Sequence, residues 1–307
     1  MFYGEYLNTY CQSVALVWNL DTDNRSSRVA RYISKGIAHP VASIKWALSL
    51  SETSEHHLWF RSNPRLLLKP GRHYISRHYN FASRTKIISN HYAALSSLLS
   101  RQSFEALAQG TQLLLANFVG KKGGNYQITL SKTDKFDREG ELILGLKDAD
   151  RNGDIFWFVF SLNHHENQTW AEIGCFQGAK GEDARAMIKL ATKEFHGIRP
   201  RNLLADAMYA LAANWGLSGI FGISNSSRVY NGSETFADYD TFWQELGGTP
   251  DRDGLFRLPV SLSHHPLCDI PSQHRAEYRR RMELRDALGQ QIDWAGKRYS
   301  SANGNLH

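Results

Sequence analysis

The sequence predicts a mixed α/β (α+β) fold, in which a helical amino-terminal part precedes a mixed, mostly antiparallel sheet with flanking helices. Apolar residues recur at helical spacing between positions 41 and 99. After the turn GKKGGN at 120–125, the chain changes to short segments rich in β-branched and aromatic residues. Two periodic helical segments follow these strands. We therefore expect three regions: 1–119, mainly helical; 120–265, the α/β domain; and 266–307, a helix with a flexible tail.

Composition narrows the class of protein and of partner. The 307 residues are 42% hydrophobic and 21% charged, and 36 basic against 30 acidic side chains give a net charge of +6. That balance favours an anionic partner, such as a nucleotide, tRNA, a lipid head group or a membrane surface. Three cysteines without a CxxC pair indicate neither a disulfide framework nor a zinc knuckle. A cytoplasmic protein is expected, with a peripheral position at the inner membrane left open.

The amino-terminal part contains two periodic helical segments separated by a polar one. VASIKWALSL and HYAALSSLL have helical spacing, and RHYISRHYNFASRTK at 72–86 lies between them. This stretch interleaves aromatic and basic side chains, as a single-stranded nucleic-acid platform does. It equally suits a membrane-facing or interdomain loop, and no nucleic acid other than tRNA is expected as a partner.

Four successive strands follow, joined by turn chemistry: NYQITLSK, GELILGLKD, DIFWFVFSLNH and TWAEIGCF. Antiparallel pairing is the simplest arrangement for them. The turn DADRNGD resembles a calcium-binding loop. The glutamate expected at the twelfth position of such a loop is absent, and strands flank the turn, so a hairpin is favoured.

Helices then alternate with strands. One helix begins near Ala184 and ends near Gly197, and a second runs from 200 to 215 after Pro200. GIFGISN is predicted to be a strand, ADYDTFWQELGG a short helix, LFRLPV the last strand, and 270–292 a final helix. The tail SSANGNLH is expected to be disordered.

Five segments together resemble the VirK/YbjX family of Gram-negative bacteria: HYAAL at 91–95, IGCFQG at 173–178, KEFHGIRPRNLL at 193–204, DYDTFWQELGG at 238–248 and IPSQHRAEYRRR at 270–281. The resemblance implies a link to virulence, cell-envelope integrity and resistance to cationic antimicrobial peptides. It implies no known reaction.

The order of elements is similar to that of the GNAT acyltransferase superfamily. In that fold, a turn after the fourth strand binds the pyrophosphate of coenzyme A through backbone amides. Gln177, Gly178, Gly181 and Ala184 approximate its pattern, and FWQELGG resembles the segment that closes the fold. The resemblance implies an acyl-coenzyme A donor, with Gln177, Gly178, Lys180 and Gly181 around the phosphates.

Two interpretations of this turn remain open. Free amides and the positive end of a helix dipole attract phosphate, and Lys180 adds a cation. Glu182 and Asp183, however, already place negative charge at the helix terminus, which favours a capped connection between core elements.

Two further segments carry candidate residues. HGIRPR at 196–201 offers His196 as a proton carrier and Arg199 as part of an anion clamp, or else a structural helix junction. GISNSSRVYN at 222–231 offers Ser224 and Asn225 for substrate positioning and Tyr230 for protonation of a leaving thiolate, or else local turn hydrogen bonds. No metal site is expected, because adjacent histidines such as His164 and His165 on a strand point to opposite faces.

The leading hypothesis is a transferase that moves an acyl or aminoacyl group onto an amine of an envelope component or peptide. The acyl donor would be an acyl-coenzyme A or an aminoacyl-tRNA. Glu172 or His196 would act as the general base, and a backbone N–H would stabilise the oxyanion. The alternative is a non-catalytic accessory protein that binds an anionic partner or membrane surface during envelope assembly.

Overall fold

A computed structural model of the protein describes residues 2–20, 25–50, 56–181, 183–230, 237–262 and 266–301. It confirms the mixed α/β class: helices precede an eight-stranded sheet, and further helices flank it. Glu182, the pair His264 and His265, and residues 302–307 of the expected tail lie outside the described residues.

The described residues of the amino-terminal part form six α-helices: α1 (Phe2–Asn19), α2 (Arg25–Ala38), α3 (Pro40–Ser49), α4 (His56–Ser62), α5 (Phe81–Leu98) and α6 (Arg101–Ala108). A 3-10 segment, Pro64–Gly71, connects α4 to the polar stretch before α5. Side chains of Asn80 and Ser100 accept hydrogen bonds from the first turns of α5 and α6, which fixes where those helices begin.

Within the part of the chain that the structure describes, eight strands form one sheet in the order β1-β2-β3-β4-β5-β6-β8-β7. They are β1 (Leu113–Val119), β2 (Asn125–Lys132), β3 (Leu142–Asp148), β4 (Gly153–His165), β5 (Gln168–Gly178), β6 (Gly219–Ile223), β7 (Thr249–Pro250) and β8 (Leu255–Arg257). Strands β1 to β5 pair antiparallel, as their short connections require, whereas β5 and β6 pair parallel.

The described residues after β5 include four α-helices: α7 (Ala184–Glu194), α8 (Pro200–Asn214), α9 (Tyr239–Glu245) and α10 (Arg275–Tyr299). Pro200 occupies the first turn of α8. The apolar side chains of α8 pack on the middle of the sheet. The buried core includes Leu203, Leu204 and Met208 of α8 together with Phe160 and Ile173 of the sheet.

The parallel pair of β5 and β6 is short. Pairing runs only from Trp170 opposite Gly219 to Ile173 opposite Gly222, although β5 continues to Gly178. Opposite β4, the register of β5 shifts between Ile173 and Cys175, which marks a bulge at Gly174. Beyond this bulge the outer edge of β5 is separate from β6.

Helix α10 lies along the outer edge of β1. The Gln291 side chain accepts a hydrogen bond from the backbone N–H of Asn117 at 2.9 Å. The hydroxyl of Tyr299 donates to the carbonyl of Leu114 at 3.3 Å. Two side chains of α10 thus bind backbone groups of an edge strand.

Among the residues that the structure describes, none of the helices has the length and apolar character that crossing a membrane requires.

Candidate functional site

Glu172 lies in the middle of β5, where β4 places Ser161 directly opposite it. Only 2% of the residue is exposed. Three neutral donors hold its carboxylate: Asn163 Nδ2 and Trp170 Nε1 donate to Oε1 at 2.8 and 2.9 Å, and the Tyr79 hydroxyl donates to Oε2 at 3.1 Å. The sequence candidate for a general base is therefore a buried, oriented carboxylate.

Burial raises the pKa of Glu172, and the hydrogen bonds from Asn163, Trp170 and Tyr79 oppose the rise. A carboxylate with a raised pKa is a stronger base than an exposed one, and it still ionises as pH increases. Burial and the nearby Glu172 charge in turn raise the pKa of Tyr79, so this phenol remains a hydrogen-bond donor.

A cavity of about 540 Å³ opens above Glu172. It is bounded by the start of α5, the β4–β5 hairpin and the β7–β8 connection. Its lining includes Tyr79, Ser83, Lys86, Asn163, His164, His165, Glu166, Gln168, Trp170, Glu172, Phe221, Asp251, Arg252 and Asp253. We call it the Glu172 cavity.

The donors around Glu172 are themselves held in place. Asn163 Oδ1 accepts hydrogen bonds from Asn90 Nδ2 at 3.0 Å and from the backbone N–H of His164 at 2.9 Å. This fixes the orientation of the Asn163 amide, whose other end then faces Glu172.

Sequence reasoning missed Tyr79, Asn163 and Trp170. Tyr79 belongs to the aromatic and basic stretch 72–86, so the signal was present but its partner lies 93 residues away. The structure places that stretch over a polar face of the sheet, where Tyr74 also hydrogen-bonds Ser161 at 2.6 Å.

The β5–α7 turn carries the four residues predicted to surround phosphates. Gln177 and Gly178 are the last residues of β5, and a Cβ at Gly178 would lie 2.9 Å from Ile188 Cδ1, so close packing explains that glycine. Gly181 has a φ of +116° with open space around it, and Lys180 is exposed. The Asp183 side chain makes no capping hydrogen bond. Among the described residues, Lys180 and Gly181 are therefore open to solvent.

Tyr239 of α9 binds the backbone of β5 beyond the bulge. Its hydroxyl accepts from the backbone N–H of Phe176 at 3.1 Å and contacts the carbonyl of the same residue at 3.0 Å. The Tyr239 hydroxyl also contacts the thiol of Cys175. The carboxyl of Glu139 lies close enough to this thiol to raise its pKa. Burial raises the pKa of Cys175 to about 12, so the thiol is not poised as a nucleophile.

His196 and Arg199 lie at the α7–α8 junction. His196 has a φ of 52°, and its carbonyl accepts a hydrogen bond from Arg281 Nε of α10 at 2.6 Å. Burial and the neighbouring Arg280 lower its pKa. Arg199 lines a separate shallow cavity together with Tyr278, Arg281 and other residues. Neither His196 nor Arg199 lines the Glu172 cavity.

The residues after β6 hold the loop and α9 together. Ser224 hydrogen-bonds Ser227 at 3.0 Å. The backbone N–H of Asn225 donates to Asp240, and its side chain binds Asp238 and the backbone N–H of Tyr239. Tyr230 is 51% exposed, with the Arg138 guanidinium 5.3 Å from its ring centre. The predicted site residues thus fall in separate places, and Glu172 is the one in a cavity with oriented donors.

Comparison with known proteins identifies relatives along most of the chain. The family described as "Protein of unknown function (DUF535)" matches residues 22–293. The "Uncharacterized protein YbjX" of Escherichia coli (strain K12) is 27% identical over 276 residues, which cover 88% of this chain and 83% of that protein. An "Uncharacterized protein" of Haemophilus influenzae is 30% identical over 173 residues, covering 55% of this chain and 57% of its own.

Among solved structures, a variant of a cAMP-binding acyltransferase from Mycobacterium smegmatis is similar, with 10% identity and a TM-score of 0.30. The match covers 70% of this chain and 65% of that one, and with so low a TM-score it carries no argument about activity. The family match and the YbjX relative instead confirm the resemblance carried by the five sequence segments. The chain belongs to the DUF535 family, whose members include the VirK/YbjX proteins.

Proposed function

We propose that the protein transfers an acyl or aminoacyl group to an amine, with Glu172 as the general base. The observation that carries the proposal is the buried Glu172 carboxylate, held by three neutral donors at the floor of a 540 Å³ cavity. A fixed carboxylate with a raised pKa is what deprotonation of an amine requires.

The cavity rim suits a cationic acceptor. Three acidic side chains, Glu166, Asp251 and Asp253, line it beside the two cations Lys86 and Arg252. Together with Glu172 these acids attract an ammonium group, which must lose a proton before it can attack a carbonyl carbon.

The reaction requires little covalent chemistry from the protein. Glu172 takes a proton from the acceptor ammonium, and the free amine then attacks the donor carbonyl. A carbon–nitrogen bond forms and the carbon–sulfur or carbon–oxygen bond of the donor breaks. As the amide forms, the attacking nitrogen releases its second proton to solvent, and the departing thiolate or alkoxide takes one up. Glu172 then returns its own proton to solvent. Positioning of the two reactants supplies most of the rate.

The donor would bind next to the β5–α7 turn, where Lys180 and Gly181 offer access to an anion. An acyl-coenzyme A or an aminoacyl-tRNA supplies the activated carbonyl. The acceptor would be an amine on an envelope component or a peptide, in line with the role that the VirK/YbjX resemblance implies.

The test is a transfer assay with the full chain. Acyl-coenzyme A and labelled aminoacyl-tRNA are each offered with a panel of primary amines and amine-bearing peptides, and amide formation is followed by mass spectrometry. We expect amide to form at a rate that rises with pH through the raised pKa of Glu172. Glu172→Gln, which keeps the shape but not the base, should lower turnover by about 10²–10⁴-fold.

Glu283→Gln is the matched control, because this carboxylate is exposed on α10. It should leave turnover unchanged. Unchanged turnover in Glu172→Gln would remove Glu172 as the base. Absence of amide from every donor would overturn the transferase and favour the non-catalytic accessory protein.

A further inference from the structure

A second cavity, of about 380 Å³, lies between α2, the 3-10 segment Pro64–Gly71 and the start of α5. It shares no lining residue with the Glu172 cavity. We call it the basic cavity because of the side chains that surround it. Their positions come from three separate parts of the chain, so the cluster was not visible in the sequence.

Six cationic side chains line the basic cavity: Arg28, Arg31, Lys35, Arg65, Arg72 and Arg138. Within the described part of the chain, its lining includes no carboxylate. One acidic group lies close by, since Asp137 Oδ2 pairs with Arg72 at 3.0 Å. The cavity therefore carries a large excess of positive charge.

Helix α2 contributes three of these cations on one face. Arg28, Arg31 and Lys35 are three and four residues apart, which brings successive side chains together on the helix surface. Like charges at this spacing destabilise a helix. An anion with several charges would remove that repulsion and would gain charge-assisted hydrogen bonds from the guanidinium groups.

The rest of the lining is apolar or aromatic. Tyr32 and Leu67 are buried, Leu68 is half-buried, and Phe81 stacks on the His39 ring with 5.3 Å between ring centres. An apolar wall next to a group of cations matches a ligand with a charged end and an apolar or planar body.

We propose that the basic cavity binds a small ligand that carries a phosphate monoester or a diphosphate group on an apolar or aromatic body. Its volume admits a nucleoside diphosphate or the head of a phosphorylated lipid and is too small for folded RNA. Arginine recognises phosphate oxygens in a bidentate manner, and five of the six cations are arginines. The proposal is independent of transfer activity at Glu172.

Titration calorimetry of the full chain tests the proposal with three probes: inorganic pyrophosphate, ADP and dihexanoyl phosphatidic acid. Pyrophosphate tests whether the charged group alone is bound. ADP tests for a nucleotide ligand, and phosphatidic acid, used below its micelle concentration, tests for a lipid ligand. We expect saturable one-to-one binding of ADP or of phosphatidic acid that weakens as salt increases, with pyrophosphate weaker than the better of the two.

The variant Arg31→Gln with Lys35→Gln should reduce affinity for the better probe at least tenfold, which corresponds to about 1.4 kcal/mol. The matched control, Arg279→Gln with Arg280→Gln, removes the same charge from exposed positions of α10 and should bind as the unmodified chain does. Arg65→Gln, outside α2, gives a second variant in case changes in α2 disturb folding.

Three results would overturn the proposal. They are no saturable binding of any probe, equal losses in the cavity variant and the α10 control, or undiminished binding in both the cavity variant and Arg65→Gln. Glu172→Gln should retain full affinity for the probe. Failure of the transfer assay therefore leaves this result intact, and failure of binding leaves the transfer assay intact.

Discussion

Three of the buried glutamates, Glu139, Glu141 and Glu172, differ in what surrounds each carboxylate. Glu172 accepts three hydrogen bonds from neutral donors. Glu141 is paired with Lys69 at 2.6 Å. Glu139 has one oxygen, Oε2, without a hydrogen-bond partner among the described residues. The same residue type thus occurs as a carboxylate held by neutral donors, as half of an ion pair and as a group whose pKa burial raises.

Glu139 gives a prediction about pH and stability. Burial and the nearby Asp137 charge raise the pKa of Glu139 from its ordinary 4.5 to about 7. Between these values the folded protein holds a proton that the unfolded chain has lost, so stability falls as pH rises. The loss across the interval is about 3 kcal/mol.

Glu139→Gln should remove this loss, because the amide stays neutral. Urea unfolding of both proteins from pH 4.5 to 7.5 measures it. The stability of the variant relative to the parent should increase with pH; a constant difference would mean that Glu139 ionises normally in the folded protein.

At the residue scale, the sequence offered Glu172 as a candidate base but did not point to its partners. A glutamate in a strand between apolar neighbours is conspicuous in a sequence. Tyr79, in contrast, reaches Glu172 only because the stretch 72–80 lies over the sheet, a contact that no local pattern predicts. The positions of Ser224 and Asn225 favour the local alternative, since both bind neighbouring residues of their own loop and of α9.

At the element scale, β5 is the central feature, because it pairs with β4 along its length but with β6 only up to Ile173, next to the bulge at Gly174. Gly174, at the bulge, lies against the backbone of Glu139, and a Cβ there would overlap the Glu139 carbonyl. The strand can reach its position only if this residue has no side chain.

Gly174→Ala should therefore destabilise the protein by about 2–4 kcal/mol, as overpacking against rigid backbone does. Gly289→Ala is the matched control: it lies inside α10 with open space around it and should stabilise by about 0.5–1 kcal/mol. Chemical denaturation measures both. Equal effects of the two changes would contradict the account of the bulge.

The four strands predicted after residue 120 are confirmed, because alternation and turn residues are local properties. Strand β1 was not predicted, and the sheet already begins at Leu113. LLLANFV is a short apolar run directly after a helix, where periodicity alone does not distinguish strand from helix. Its pairing with β2 decides the matter.

At the scale of the whole molecule, a buried polar network joins the amino-terminal part to the sheet. Glu141, next to β3, accepts hydrogen bonds from Tyr74 at 2.8 Å and Tyr92 at 2.7 Å in addition to the Lys69 ion pair. Tyr74 also contacts Ser161 of β4. Three parts of the chain that are distant in sequence, around residues 69–74, 92 and 141, thus meet at one carboxylate.

Lys69→Met should cost about 3–5 kcal/mol, since it leaves a buried carboxylate without its counter-charge. The matched control is Lys297→Met. The side chains of Lys297 and its partner Asp293 are 69% and 51% exposed, so this change should lower the free energy of unfolding by less than about 1 kcal/mol. Thermal unfolding followed at helix and aromatic signals measures the loss. If Lys69→Met were as mild as Lys297→Met, the network would not hold the two parts together.

The position of α10 has a consequence for behaviour at high concentration. A strand at the border of a sheet can recruit a strand from another molecule and so begin aggregation. Gln291 and Tyr299 bind backbone groups of β1, and α10 covers that border. At the opposite border β7 is only two residues long and includes Pro250, which has no N–H to donate. Removal of α10 would therefore expose the edge of β1 to pairing with strands of other molecules. The last helix thus protects the protein against aggregation.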